Sequence, residues 1–168
     1  MNKQYFEKNE KTDYEKLIRF NSKTGAFEHL FQMIEKHYYD ASGITKDGRE
    51  CQIELKSRNA ILTDDYKISS STFVDDNLFI EDHKASDILL EAISRRSEPL
   101  YINFLDDGHT IIFNLLRLKR RPKRYSNLKI ESKGYGKMEF ANRQGLYLTD
   151  AAIYNNEGKL IRKPLKIT

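Results

Sequence analysis

Cys51-Gln52-Ile53-Glu54-Leu55-Lys56 is the stretch whose reading decides the fold. Apolar and polar residues alternate through it with the period of a β-strand, so Cys51, Ile53 and Leu55 point one way and Gln52, Glu54 and Lys56 the other. Glu54 and Lys56 therefore share a face, about 6–7 Å apart along the strand. The tripeptide alone decides nothing, because Asp/Glu-x-Lys recurs at Asp65-Tyr66-Lys67, Asp82-His83-Lys84, Glu131-Ser132-Lys133 and Glu157-Gly158-Lys159. Context has to separate them.

Immediately upstream, Lys46-Asp47-Gly48-Arg49 carries the Asp-Gly signal of a tight hairpin joining strands over 39–45 and 50–57. That hairpin sets Asp40 on the strand beside Glu54, 14 positions before it. Further upstream, Phe27, Leu30, Phe31, Ile34 and Tyr38 recur at three- and four-residue spacing, which predicts an amphipathic helix from Gly25 to about Tyr39 with Glu28 on its flank. Residues 1–24 read as a polar, loosely held segment, with Tyr14-Glu15-Lys16-Leu17-Ile18-Arg19-Phe20 as a short strand or a turn of helix. Downstream, 59–72 reads as a loop and 77–82 as a third strand. A helix follows over 85–96, with Ile88, Leu89, Ala92 and Ile93 on its buried side, then two strands over 99–105 and 110–116 around Asp106-Asp107-Gly108-His109. The rest, 117–168, holds a turn at Gly134-Tyr135-Gly136, strands at Leu146-Tyr147-Leu148 and Ala151-Ala152-Ile153-Tyr154, and a turn at Asn155-Asn156-Glu157-Gly158.

The 168 residues suit one domain, or one domain with a small appendage, and 39% hydrophobic content with 10 Tyr and 9 Phe is globular. No stretch approaches the roughly 20 apolar residues of a membrane helix, and Met1-Asn2-Lys3-Gln4 opens no apolar signal core, so the expectation is a cytoplasmic protein without a membrane partner. The single Cys51 excludes a disulfide framework and a thiolate zinc cluster, leaving oxygen or imidazole ligands for any metal. Its place among strand apolar residues suits a small buried hydrophobe better than a nucleophile. Charge is unevenly spread beneath a net of +4: residues 1–116 carry 15 Lys+Arg against 21 Asp+Glu, and 117–137 carry 9 against 1. An acidic part beside a basic segment suits a metal-binding core next to a surface for a polyanion.

Phosphodiester hydrolysis near neutral pH needs a divalent cation and positive charge placed where the transition state gathers negative charge. Asp40 and Glu54 on adjacent antiparallel strands can converge on Mg²⁺ or Mn²⁺, which asks for a few carboxylates and keeps several waters. Lys56, on the Glu54 face, can orient the water or stabilise the charge, and the Leu55 carbonyl can add a metal ligand from the strand edge. The six positive residues of 117–124, among them Lys119, Arg120, Arg121, Lys123 and Arg124, together with Arg58 just past the strand, are candidates for nucleic-acid phosphates.

The helix with Glu28, Asp40 and Ile53-Glu54-Leu55-Lys56 together resemble a PD-(D/E)xK nuclease core over residues 25–116, a little over half the chain. The resemblance implies an α/β fold: a mixed central β-sheet flanked by helices in the αβββαβ order of restriction-endonuclease-like cores, followed here by a small, basic, β-rich C-terminal extension over 117–168. It also implies a metal-dependent nuclease acting on DNA, with Asp40, Glu54 and Lys56 catalytic. Glu28 becomes a supporting metal ligand, because Holliday-junction resolvases and some phage nucleases of that superfamily use a glutamate of the first helix. A homodimer is implied by the same kinship. Tyr39 stands where the name-giving proline would be.

Each residue has a plainer reading. Asp40 can cap a helix end or start a turn, Glu54 and Lys56 can be a solvent-facing pair on an amphipathic strand, and Glu28 can be an ordinary helix-flank charge. The basic run can be a solvated linker. Asp82-His83-Lys84 reads as a strand end running into a helix cap, with Glu81 on the opposite face as a secondary site group, and Tyr125 and Tyr135 can stack on bases. The functional alternative is a catalytically inactive nucleic-acid- or protein-binding module on the same fold.

Overall fold

Gly25 takes φ = +59°, the left-handed conformation that closes a helix, and its N–H reaches the Asn21 carbonyl at 2.8 Å. The chain before it is accordingly helix α1 (Lys3–Thr24). The Asn21 side chain then satisfies both backbone groups of Phe27, accepting from its N–H at 2.8 Å and donating to its carbonyl at 3.0 Å. This turns the chain directly into strand β1 (Phe27–Gln32). The computed structural model describes residues 3–33, 38–131 and 138–165.

After β1 come β2 (Ala41–Thr45) and β3 (Glu50–Arg58), then β4 (Ile61–Leu62), β5 (Ile68–Ser69), β6 (Val74–Asp75) and β7 (Asn77–Glu81). Helix α2 (Asp82–Arg95) leads to β8 (Glu98–Leu105) and β9 (Thr110–Asn114). The chain ends in β10 (Lys123–Glu131), β11 (Met138–Tyr147), a 3₁₀ turn over Leu148–Asp150, β12 (Ala152–Tyr154) and β13 (Leu160–Arg162). Among the described residues the main sheet runs β1-β2-β3-β8-β9-β12-β13, with β3 and β8 parallel and every other neighbour antiparallel. This is a mixed central sheet in an α/β fold. A second sheet, β10-β11-β7, and a small one, β4-β5-β6, complete the strands.

Both faces of the central sheet are covered. On one, Leu17 and Phe20 of α1 pack against Cys51, Ile53 and Leu55 of β3 and Ile102 of β8. On the other, Ala85 and Ile88 of α2 join Tyr101, Ile111 and Phe113, together with Leu146 of β11. The alternation in β3 decides the split: its odd residues lie under α1 and its even residues under α2. Gln52, at 3% exposure, is therefore interior despite its amide, and it accepts a hydrogen bond from Ser97 Oγ at the end of α2.

The expected turns are present, with Gly48, Gly108 and Gly158 at φ of 82°, 88° and 78°. Three expectations are corrected. Residues 3–24 are helix rather than a loose segment. The stretch from Gly25 that reads as a helix is strand β1, whose register shift between Phe27 and His29 breaks the period-2 pattern and leaves three- and four-residue apolar spacings in its place. Strand β7 pairs with β11 rather than joining the central sheet, so the three strands of the αβββαβ order are β1, β2 and β3. In the C-terminal part, β12 and β13 extend the central sheet, and β10 and β11 join β7 in the second one. Ile93, expected to be buried, is 59% exposed. Ile34 and the Gly134-Tyr135-Gly136 turn lie outside the described residues. Among the described residues no helix is long and apolar enough to cross a membrane.

Two outcomes follow from this packing. Leu17, fully buried between α1 and β3, should cost roughly 2–5 kcal/mol when cut to alanine, read as a lower urea midpoint. The Cys51 thiol is pushed up to about 12 by burial, so it carries almost no thiolate at pH 8. Iodoacetamide should leave it unmodified in the folded protein and alkylate it in guanidinium; rapid labelling of the native protein would contradict its position.

Candidate active site

Strand β2 stops pairing with β3 at Ala41, opposite Ile53. One residue earlier the Asp40 N–H donates to the Ile53 carbonyl at 2.9 Å, and the Asp40 side chain continues where the ladder ends: its Oδ2 accepts the Leu55 N–H at 2.7 Å. A strand residue's N–H and C=O face the same edge, so the Leu55 carbonyl is turned toward the Asp40 side as well. On its other edge β3 is paired with β8 as far as Arg58.

Glu54 lies under α2 at 4% exposure, where its Oε1 accepts from Lys84 Nζ in the first turn of that helix. Burial pushes its pKa up to about 7, and the Asp40 charge pushes in the same direction against the opposing pull of Lys84 and Lys56. Asp40 is raised in turn, first by desolvation and also by Asp13, while the Leu55 N–H, Lys84 and Lys56 act against the rise. Glu54 therefore feels the Asp40 charge across the end of β2. Partial withdrawal from water, and then Arg58 and Lys84, hold Lys56 below the usual lysine range. Lys84 is raised: desolvation opposes its charge, but Glu54, Asp40 and Glu81 outweigh it.

The helix acid near this site is Asp13, not Glu28. Asp13 Oδ1 accepts from Ser57 Oγ at 2.5 Å, and Ser57 Oγ accepts from Lys16 Nζ at 2.6 Å, which ties α1 to β3. Glu28 is an exposed residue of β1, at the Thr45 end of that hairpin. It stands four residues, roughly 13 Å, along the strand from the Gln32 position opposite Ala41, so it does not join Asp40. Asp13 was legible only with the correct helix, where it stands one turn before Leu17 on the stripe that packs on the sheet. Lys84 lay in a tripeptide that reads as a strand end, and it reaches Glu54 across 30 positions of sequence.

Arg58, expected just past the strand as a phosphate contact, is the last residue of β3, and its guanidinium is held within the protein. Its Nε donates to Asn103 Oδ1 at 3.0 Å, and its Nη2 donates to the Phe79 carbonyl and the Tyr101 hydroxyl. It forms part of a cleft wall with Glu54, Lys56, Glu81, Lys84 and Arg143. In the basic run, Arg117 pairs with Glu98, and the Lys119 and Arg120 backbone N–H groups donate to Asp150 Oδ2 at 3.2 and 3.0 Å. The Arg120 guanidinium lies over the Tyr147 ring and Lys123 over Tyr125, each 5.1 Å from the centroid. Lys119, Arg120, Arg121, Lys123 and Arg124 form no ion pair among the described residues, so the run keeps its positive charge. Tyr125 packs edge-on against Phe79 at 5.2 Å rather than standing free for a base. Tyr135 lies outside the described residues.

Among the described residues no group of three or more Asp, Glu, His and Cys side chains forms a metal-holding cluster. The donors that do converge are Asp40, Glu54 and the Leu55 carbonyl edge, all hard oxygens of the kind Mg²⁺ and Mn²⁺ prefer. A buried Glu54 whose pKa is raised by burial and by the charge of half-buried Asp40 is a setting a cation relieves, and in that respect the residues fit the ion.

No family model and no curated protein matches the chain. Among solved structures it is similar to Hjc, a Holliday junction resolvase from the archaeal hyperthermophile Archaeoglobus fulgidus, at a TM-score of 0.45 and 12% identity over 80% of this chain and 95% of that one. At that identity the likeness assigns no role to any residue here.

The Lys84–Glu54 pair yields a thermodynamic expectation. Lys84→Met should destabilise the metal-free protein by about 1–2 kcal/mol, less than for a fully buried pair because the lysine side chain is 40% exposed. Adding Glu54→Gln should recover part of that loss, and a urea double-mutant cycle reads the coupling directly. Strict additivity of the two changes would mean the pair does not interact.

Proposed function

We propose that the protein is a metal-dependent nuclease of the PD-(D/E)xK type that hydrolyses DNA phosphodiester bonds. The observation that carries this reading is the placement of Asp40 and Glu54 at the broken edge between β2 and β3, Asp40 held by the Leu55 N–H and Glu54 by Lys84, with the Asp40 charge near enough to raise the Glu54 pKa. Asp40, Glu54 and the Leu55 carbonyl would hold Mg²⁺ or Mn²⁺, with the Asp13 charge behind Asp40; bound there, the ion would polarise a phosphoryl oxygen and acidify a water. Asp40 is oriented by the Leu55 N–H, and Glu54 is fixed by Lys84. Lys56, exposed on the Glu54 face, presents its ammonium where a phosphate would enter and stabilises the charge gathered in the transition state. The residues of 117–124 free of ion pairs supply a backbone-binding surface outside the cleft.

One observation favours a second reading. Lys84 already neutralises Glu54, so the fold can be stable with no ion at all, as expected of an inactive binding module. Cleavage assays on single-stranded, duplex and branched DNA with Mg²⁺ and with Mn²⁺ separate the two. The nuclease reading expects cutting that needs the metal, is lost in Asp40→Asn and Glu54→Gln, and falls roughly 10²–10³-fold in Lys56→Ala with an unchanged circular dichroism spectrum. Absence of cutting on every substrate with both metals would leave the binding module.

A further inference from the structure

Arg143 reaches the cleft from outside the segment that carries the nuclease resemblance. It lies on β11 directly opposite Glu81 of β7, and its side chain lines the same cleft as Glu54, Lys56, Arg58 and Lys84. Its Nε is buried without a hydrogen-bond partner, and the side chain forms no ion pair among the described residues. Leaving a charged donor out of water and unpaired is costly, and proteins ordinarily avoid it. Glu81, the acid across the register, instead stands 3.5 Å from His83 Nε2. The other cations of the cleft are engaged differently: Lys84 is bound to Glu54, and Arg58 is held by Tyr101, Phe79 and Asn103.

The charge of the cleft points to the ligand class. Lys56, Arg58, Lys84 and Arg143 face Glu54 and Glu81, four positive groups against two negative, so the cleft attracts an anion. A guanidinium presents a planar fork of donors that matches two oxygens of one phosphate, a geometry an ammonium cannot reproduce. Withdrawal from water and the nearby Arg58 charge lower the Arg143 pKa against the pull of Glu81, which an incoming anion would offset.

We propose that Arg143, carried over the cleft by the β10–β11 hairpin, is the residue that grips a nucleic-acid phosphate and positions it beside Glu54 and Lys56. This makes the C-terminal part of the chain a wall of the site. The proposal rests on the nuclease reading for what happens to the phosphate afterwards, and on the cleft alone for its binding.

The test measures the affinity of a short fluorescein-labelled DNA duplex by anisotropy across a salt series, with Ca²⁺ replacing Mg²⁺, alongside cleavage in Mg²⁺. Arg143→Gln should weaken binding roughly tenfold and reduce the slope of log affinity against log salt by about 0.9, the share of one phosphate contact. Arg143→Lys should keep the slope yet remain several-fold weaker, because the charge survives without the fork. Lys46→Gln, on the exposed β2–β3 turn, controls for the loss of one positive charge. If Arg143→Gln and Arg143→Lys bind like Lys46→Gln, the assignment is overturned even if the wild-type protein cuts DNA. If the wild type cuts nothing but Arg143→Gln still loses affinity and slope, the phosphate grip stands and the nuclease reading fails. No binding by the wild type overturns the proposal. Should Arg143→Gln misfold by circular dichroism, Arg143→Lys decides: wild-type affinity would overturn the grip, and weaker binding at an unchanged slope would support it.

Discussion

The burial of one carboxylate organises this molecule. β3 is central and covered on both faces, so the alternation that puts Ile53 and Leu55 under α1 must put Glu54 under α2, at 4% exposure. Removing a carboxylate from water costs several kcal/mol unless a partner meets it. Lys84 is that partner, and it can reach Glu54 only if the first turn of α2 docks on the sheet at this level. Gln52 one step earlier imposes the same condition on the far end of the helix through Ser97. The two polar residues of β3 thus act as pegs that fix the position of α2 along the sheet, while the apolar contacts of Ala85 and Ile88 provide the burial.

The same strand creates a difference between its two edges. Toward β8 the ladder is unbroken, whereas toward β2 it stops at Ala41 and a side chain, Asp40, takes over the Leu55 N–H. An aspartate accepting a backbone bond at a strand end is ordinary. Its place beside an already buried glutamate is not, since its charge makes that glutamate harder to ionise. Facing them, the second sheet brings Arg143, and β3 itself brings Lys56 and Arg58. On the proposed nuclease reading the acidic donors on one side and the cations on the other serve a phosphodiester, and β11 adds Arg143 to the cationic side.

What was legible in the sequence follows from how local each signal is. The β2–β3 and β8–β9 hairpins were readable because Asp47-Gly48 and Asp107-Gly108 specify positive φ within the turn itself. The two-sidedness of β3 was readable because alternation is a property of a few consecutive residues. Gly25 misled because a glycine flanks a helix at its end more often than at its start, and here it closes α1, which packs on the sheet through Tyr14, Leu17 and Phe20 within a strongly charged segment. The strand after it carries a bulge that shifts its register, leaving Phe27, Leu30 and Phe31 at spacings that resemble a helix. Lys84 and Arg143 were beyond reach in a different way, since nothing local says that a lysine opening α2 or an arginine in β11 will meet β3. Those contacts are set by the docking of whole elements.

The Lys84–Glu54 pair bears on the choice between an inactive module and an enzyme, because a purely structural ion pair would be best served by one acid and one base. Here a single lysine is set against Glu54 and Asp40 together, with Asp13 adding repulsion from α1. Lys56 contributes to the balance from an exposed position, where water weakens its hold. Half-buried Asp40 adds a desolvation cost and repels Glu54, and replacing it by asparagine would retain a side-chain oxygen for the Leu55 N–H without either penalty. The arrangement therefore carries more negative charge than stability calls for. Negative charge kept at such a cost is what the proposed metal-dependent reading calls for.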